Sequence, residues 1–245
     1  MSTSVPSLDD LLTQTPRVHA GRSLTYAIHP TLARFLDEYV RPDFVTLETG
    51  SGLSTIVIIR KGVARHIAVA PDADEFAAIR EFCVANGIST TSLEPVASRS
   101  EEYLPKAPLP TLNLMLVDGD HAFPLPFIDW YYTADHLAVG GVMIVDDIQL
   151  VTGRLLADFM DADPKWERVL YEPSRFAAFR KVSHPIHSGT WTDQPYLTQT
   201  NPVGSVTVRR HVEYTAPPRI LGAIYSRMPA GVQAYYRRIR EAWRA

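Results

Sequence analysis

The chain has 245 residues, of which 46% are hydrophobic and 21% charged, and its formal net charge is −3. That suits one α/β domain with appendages and a large buried core. The charge excludes a generally basic, nucleic-acid-coating protein, so no nucleic-acid partner is expected. It is unevenly spread: from Arg209 to Ala245 eight arginines face two acids, a basic tail of +6 on a body of −9. The single cysteine, Cys83, leaves no internal disulfide and no cysteine-based metal site, and reads as a small buried residue of a helix. No apolar run approaches the ~20 residues of a membrane span. The opening MSTSVPSLDD has neither the basic nor the apolar region of a secretory signal, so the expected compartment is cytoplasmic.

In chain order, Ser7 is placed to cap a short helix, with Asp10 at the capping-box position. Pro30 opens a clearer helix with apolar Leu32, Phe35, Leu36 and Tyr39 at helical spacing, ending at Arg41-Pro42. A strand is predicted over 44–48, then the loop Thr49-Gly50-Ser51-Gly52, a helix over 53–61 and a strand over 65–70. An amphipathic helix over 72–85 closes at Asn86-Gly87. A third strand is expected over 90–94, with a loop that carries a helical turn from Pro95 to Pro110. Two apolar runs that stop in carboxylates follow, 112–118 and 142–146, separated by a helix over 127–137 and a Gly140-Gly141 turn. After a helix near 152–160, β-prone runs at 166–171 and 176–182 form a hairpin around Ser174 and Arg175. Such alternation predicts a mostly parallel sheet covered on both faces, with an antiparallel pair at one edge.

Ligands of open α/β sheets bind beyond the carboxyl ends of the strands. That rule puts Glu48 to Gly52, Ala70 to Asp72, Asp118 to His121 and Asp146-Asp147 along one rim. In LETGSGLST the glycines let the backbone turn tightly and approach a ligand, and Ser54 and Thr55 add hydroxyls. A dinucleotide fingerprint would want glycine where Thr55 stands, and a phosphate loop would want Gly-Lys-Ser/Thr. Three carboxylates converging on a rim repel one another unless a cation joins them. Mg²⁺ takes such oxygen ligands. His121, three residues after Asp118, titrates near neutral pH and can take a proton from a hydroxyl or serve as a further metal ligand.

The stretch LETGSGLST resembles motif I of the class I S-adenosylmethionine-dependent methyltransferases. LMLVDGDHAFPLPFIDWYY and LAVGGVMIVDD resemble their fourth and fifth strands, closest to the catechol, caffeoyl-CoA and macrocin O-methyltransferase group. The resemblance covers roughly 30–183 and implies a Rossmann-like, doubly wound, seven-stranded sheet with a reversed last hairpin. It implies S-adenosylmethionine held by Glu48, Thr49, Gly50, Ser51, Gly52, Ser54, Thr55 and Asp118. It also implies Mg²⁺ on Asp118, Asp146 and Asp147, where Asn is common at the last position, and His121 as the base, where lysine is frequent. An acid at the end of the second strand normally holds the ribose. Here that strand ends Val69-Ala70-Pro71, so either Asp72 serves from a shifted loop or Glu94 and Ser98 share those contacts. Asp72 reads equally well as the cap of the following helix.

The organisation expected is an N-terminal segment 1–29, a cofactor-binding domain 30–183 and a C-terminal loop with a basic helical extension, 184–245. His184 and His187 stand in a loop able to fold over a substrate. The tail is expected to pack on the domain or on a second copy of the chain, with contact to an anionic membrane surface and steering of an acidic or phosphorylated substrate as the alternatives. The expected activity is methyl transfer to a hydroxyl of a small molecule with Mg²⁺ assistance. The alternatives are a metal-independent methyltransferase acting on nitrogen, carbon or a carboxylate, and a non-catalytic binding protein. Asp120 has no assigned role.

Overall fold

The computed structural model describes residues 5–13, 28–187 and 194–199. The basic tail therefore lies outside the described residues. Among these described residues eight α-helices and seven strands follow one another as α1 (Leu8–Thr13), α2 (Pro30–Tyr39), β1 (Val45–Thr49), α3 (Leu53–Arg60), β2 (Arg65–Ala70) and α4 (Ala73–Ala85). Then come β3 (Leu93–Ala97), α5 (Ser100–Tyr103), β4 (Leu112–Val117), α6 (Leu125–Thr133), β5 (Leu137–Val145), α7 (Val151–Ala162), β6 (Trp166–Glu172), β7 (Phe176–Lys181) and α8 (Pro195–Gln199).

The strands form one sheet in the order β3-β2-β1-β4-β5-β7-β6. The first five are parallel; β7 runs antiparallel to both β5 and β6. Within the expected antiparallel pair, β7 is the inner strand and β6 takes the edge. The sheet is buried on both faces, and its side chains alternate between them with the two-residue period of a strand. Leu114, Leu116, Val142, Ile144, Phe176 and Ala178 join the core with Leu32 and Leu36 of α2, Ile56 and Ile59 of α3, and Ile79 and Cys83 of α4. Met115, Val117, Met143, Val145, Ala177 and Phe179 join the other core with Trp130 of α6 and Leu156 and Met160 of α7.

Local signals explain the helix starts. Ser7 and Asp10 exchange backbone and side-chain hydrogen bonds at the head of α1. Pro30 stands in the first turn of α2, and Asp72 caps α4 by accepting from the Asp74 N–H at 2.9 Å.

Three boundaries differ from the sequence reading. β3 begins at Leu93 and carries Pro95 within it. It is an edge strand, where the missing N–H is tolerated. Helix α6 stops at Thr133 rather than at residue 137, and β5 already runs through Gly140 and Gly141. The cause lies far along the chain. The fully buried Lys181 ammonium donates to the carbonyls of Ala134 at 2.8 Å and Leu137 at 2.7 Å, satisfying the end of α6. The register sets the rim: Thr49 pairs with Val69 and Val117, and Val117 with Val145, so four parallel strands end level.

Candidate active site

A cavity of about 430 Å³ opens at that level edge. Its walls are the turn after β1 (Thr49 to Ser51), the end of β2 with Pro71 and Asp72, the segment after β3 (Arg99 to Glu101) and the turn after β4 (Asp118 to His121). Asp146 and Asp147 after β5, Arg175 between β6 and β7, Glu75 of α4 and Ile28 complete it. The ladder runs one residue past each strand: Gly50 N–H donates to Val69 O at 2.8 Å, Asp118 N–H to Thr49 O at 3.2 Å, and Asp146 N–H to Val117 O at 3.0 Å. Each turn thus leaves the sheet from a fixed point.

Gly50 sits at φ +95°, and a Cβ there would lie 2.3 Å from the carbonyl oxygen of Asp118. Only glycine lets the β1 turn touch the acid turn this closely. Glu48 lies beneath the loop. It is buried, and its carboxylate accepts from Ser54 Oγ at 2.7 Å, from Thr55 Oγ1 and from His66 Nε2 at 3.1 Å. The structure therefore places Glu48, Ser54 and Thr55 under the cavity floor, not on its wall. Gly52 donates its N–H to Thr55 Oγ1 at 3.0 Å in the same support. Thr49, Gly50, Ser51, Asp72 and Asp118 do line the cavity, and Ser51 Oγ reaches Glu75 at 3.0 Å.

The acids divide. Ligand atoms of Asp118, His121 and Asp147 lie within 4.8 Å of one another. Asp146 is buried and its Oδ1 accepts the Asp147 N–H at 2.9 Å, so it buttresses the trio from behind. Asp147 has φ +52°, a left-handed conformation that turns its side chain back toward His121. His121 Nε2 is 2.9 Å from Asp147 Oδ2, and Arg175 stands 3.6 Å from Asp147 Oδ1.

Charge follows this geometry. Burial, then the neighbouring Asp146 and Asp147 charges, push the Asp118 carboxyl well above the usual range. Burial also raises Asp146, with the Asp147 charge adding to it. The hydrogen bond with His121 lowers Asp147 and raises His121. A crowd of carboxylates that resists full ionisation, with oxygen and imidazole donors facing one point, is a donor set suited to a hard divalent cation.

Several site residues escape the sequence reading. Arg175, 28 residues beyond Asp147, is the cation beside the acids. Arg99 bonds Glu101 and reaches Asp120 at 3.6 Å, across the rim. Asp120 also accepts the Ala122 N–H at 2.9 Å, so it holds the turn. His184 and His187 are not over the cavity. They sit at the opposite, amino-terminal edge of the sheet, where His184 Nδ1 is 3.1 Å from Lys181 Nζ and His187 Nε2 is 2.6 Å from the Tyr131 carbonyl.

The strand order, the glycine turn after β1 and the cavity at the carboxyl edge define the class I S-adenosylmethionine-dependent methyltransferase fold. Residues 47–148 match the family model described as "Methyltransferase domain". Among solved structures, the O-methyltransferase TomG from Streptomyces achromogenes, involved in tomaymycin synthesis and in complex with S-adenosylmethionine, is 16% identical. It aligns over 73% of this chain and 92% of its own, with a TM-score of 0.58. An O-methyltransferase from Bacillus cereus in complex with S-adenosylhomocysteine is also 16% identical, over 72% of this chain and 93% of its own, with a TM-score of 0.54. An rRNA methylase from Streptococcus thermophilus is 14% identical, over 66% of this chain and 100% of its own, with a TM-score of 0.51. These likenesses show a shared fold, which spans different methyl acceptors. No curated protein matches the chain.

Proposed function

We propose that this protein transfers a methyl group from S-adenosylmethionine to a hydroxyl of a small molecule, assisted by a divalent cation such as Mg²⁺. The observation that carries this reading is the convergence of Asp118, His121 and Asp147 beside the Gly50 turn. The turns after β1 and β2, with Asp72, hold the cofactor; Glu48 fastens the first turn from below. Asp118 and Asp147 are the residues that would hold the cation, with Asp146 and His121 beside them. A cation there supplies Lewis acidity to an acceptor oxygen. The chain itself orients acceptor and cofactor along the rim, and orientation is the main protein contribution to such a transfer. His121 is the group on hand to take the hydroxyl proton, once its own proton has left the bond with Asp147.

Two measurements test this. Mn²⁺ should bind the wild-type chain and be lost from Asp147→Ala, as read by electron paramagnetic resonance. Transfer of labelled methyl to a panel of phenolic and sugar hydroxyls should stop in EDTA and return with Mg²⁺. Transfer indifferent to EDTA favours a second reading, a metal-independent methyltransferase. A specific feature supports that one too: the Arg175 guanidinium and the His121 imidazole already flank Asp147.

A further inference from the structure

Asp129 lies on α6, behind the cavity wall, and the reaction as proposed does not use it. It is fully buried, and neither carboxylate oxygen has a hydrogen-bond partner among the described residues. A buried carboxyl whose nearest hydroxyls fall short of hydrogen-bond geometry is costly, so its presence asks for a reason.

Three segments of the cavity wall meet in front of it. A Cβ on Gly119 would lie 3.3 Å from Thr49 Oγ1 and 3.5 Å from Asp129 Oδ2. The bare backbone of Gly119 thus lets carboxylate and hydroxyl come up to the same small space. The Ser100 and Thr49 hydroxyls are the groups that favour the ionised form of Asp129, against the effect of burial. Ser100 opens the segment after β3, and Thr49 ends β1. Thr49 Oγ1 in turn accepts the Asp118 N–H at 3.4 Å.

We propose that Asp129 is a positioning residue: its carboxylate draws in the Thr49 and Ser100 hydroxyls when cofactor binds, clamps those two walls across Gly119, and through Thr49 fixes the backbone of Asp118. The proposal rests on reading the cavity as the S-adenosylmethionine site. The anion accepts from both hydroxyls at once; the neutral acid must turn one of its oxygens into a donor, and the clamp loosens. Burial pushes the Asp129 carboxyl up to about 6. The charged groups facing it are Glu101 on α5 and Asp120 after β4, which both raise it, and Arg99 bonds the first and reaches the second.

The test is calorimetric binding of S-adenosylhomocysteine to the full chain between pH 5 and 8. Wild-type affinity should fall roughly tenfold from pH 7.5 to pH 5, with an inflection near 6. Asp129→Asn should bind several-fold more weakly at pH 7.5 and lack the inflection, with its melting temperature undiminished. Ser100→Ala removes a donor to the anion, so the inflection should move upward, and this variant decides the matter if Asp129→Asn does not fold. Wild-type affinity and inflection in Asp129→Asn, or an unmoved inflection in Ser100→Ala, overturns the proposal. Absence of binding by the wild-type chain at every pH overturns the cofactor reading, and the proposal with it.

Discussion

The hydrogen bond with the Asp147 carboxylate raises the pKa of His121 above the ordinary imidazole value. The base form therefore appears at higher pH than it would for a free imidazole. Methyl transfer by the wild-type chain should climb with pH above the usual imidazole range, and His121→Gln should lower it by roughly two to four orders of magnitude. A rate profile flat from pH 6 to 9 would remove His121 as the base. For Asp129 the stability effect has the opposite sign to the binding effect. Its folded value of about 6 exceeds the ordinary 3.8, so the native state holds the proton more tightly than the unfolded chain. That contribution is fully present below about pH 4 and is lost as pH rises through about 6. Asp129→Asn should therefore be more stable than wild type at pH 7.5, by up to about 3 kcal/mol, and gain nothing at pH 4, as read by urea unfolding. The rim carboxylates and His121 were legible from their strand-end positions. Arg175, Ser100 and Asp129 were not, because each acts on a partner brought near only by the folded sheet.

At the scale of elements, the contact between the β1 and β4 turns is the tightest constraint on the site. A methyl group at Gly50 would strike a backbone carbonyl, which cannot rotate aside, and would also sit at an unfavourable φ. Gly50→Ala should cost about 1–3 kcal/mol in thermal unfolding and weaken S-adenosylhomocysteine by more than an order of magnitude in calorimetry. Unchanged affinity would mean that the two turns can separate without harm to the site. The apolar runs of β4 and β5, the glycine loop and the cap of α4 were readable locally, because each depends on neighbours within a few residues. The start of β3 was hidden by Pro95, which reads as a breaker until its strand is known to be an edge. The end of α6 was hidden more deeply, since the group that satisfies it, Lys181, lies 47 residues beyond Ala134.

At the scale of the molecule, the rim draws on turns spread from Thr49 to Arg175. A cation binding there should stabilise the whole sheet by mass action: at a hundred times its Kd, Mg²⁺ should add about 2.7 kcal/mol. The melting temperature should rise with Mg²⁺ in wild type and stay fixed in Asp118→Asn. A rise of equal size in that variant would place the cation elsewhere. The inner position of β7 also bears on how the chain assembles during synthesis. Asp118, Asp146 and Asp147 leave the ribosome before Arg175, and β6 emerges before the strand that must lie between it and β5. Until residue 181 has appeared, β5 presents an open edge and the acids lack their nearby arginine. A nascent chain paused there carries an unpaired strand beside a repelling cluster, the kind of state that chaperones hold.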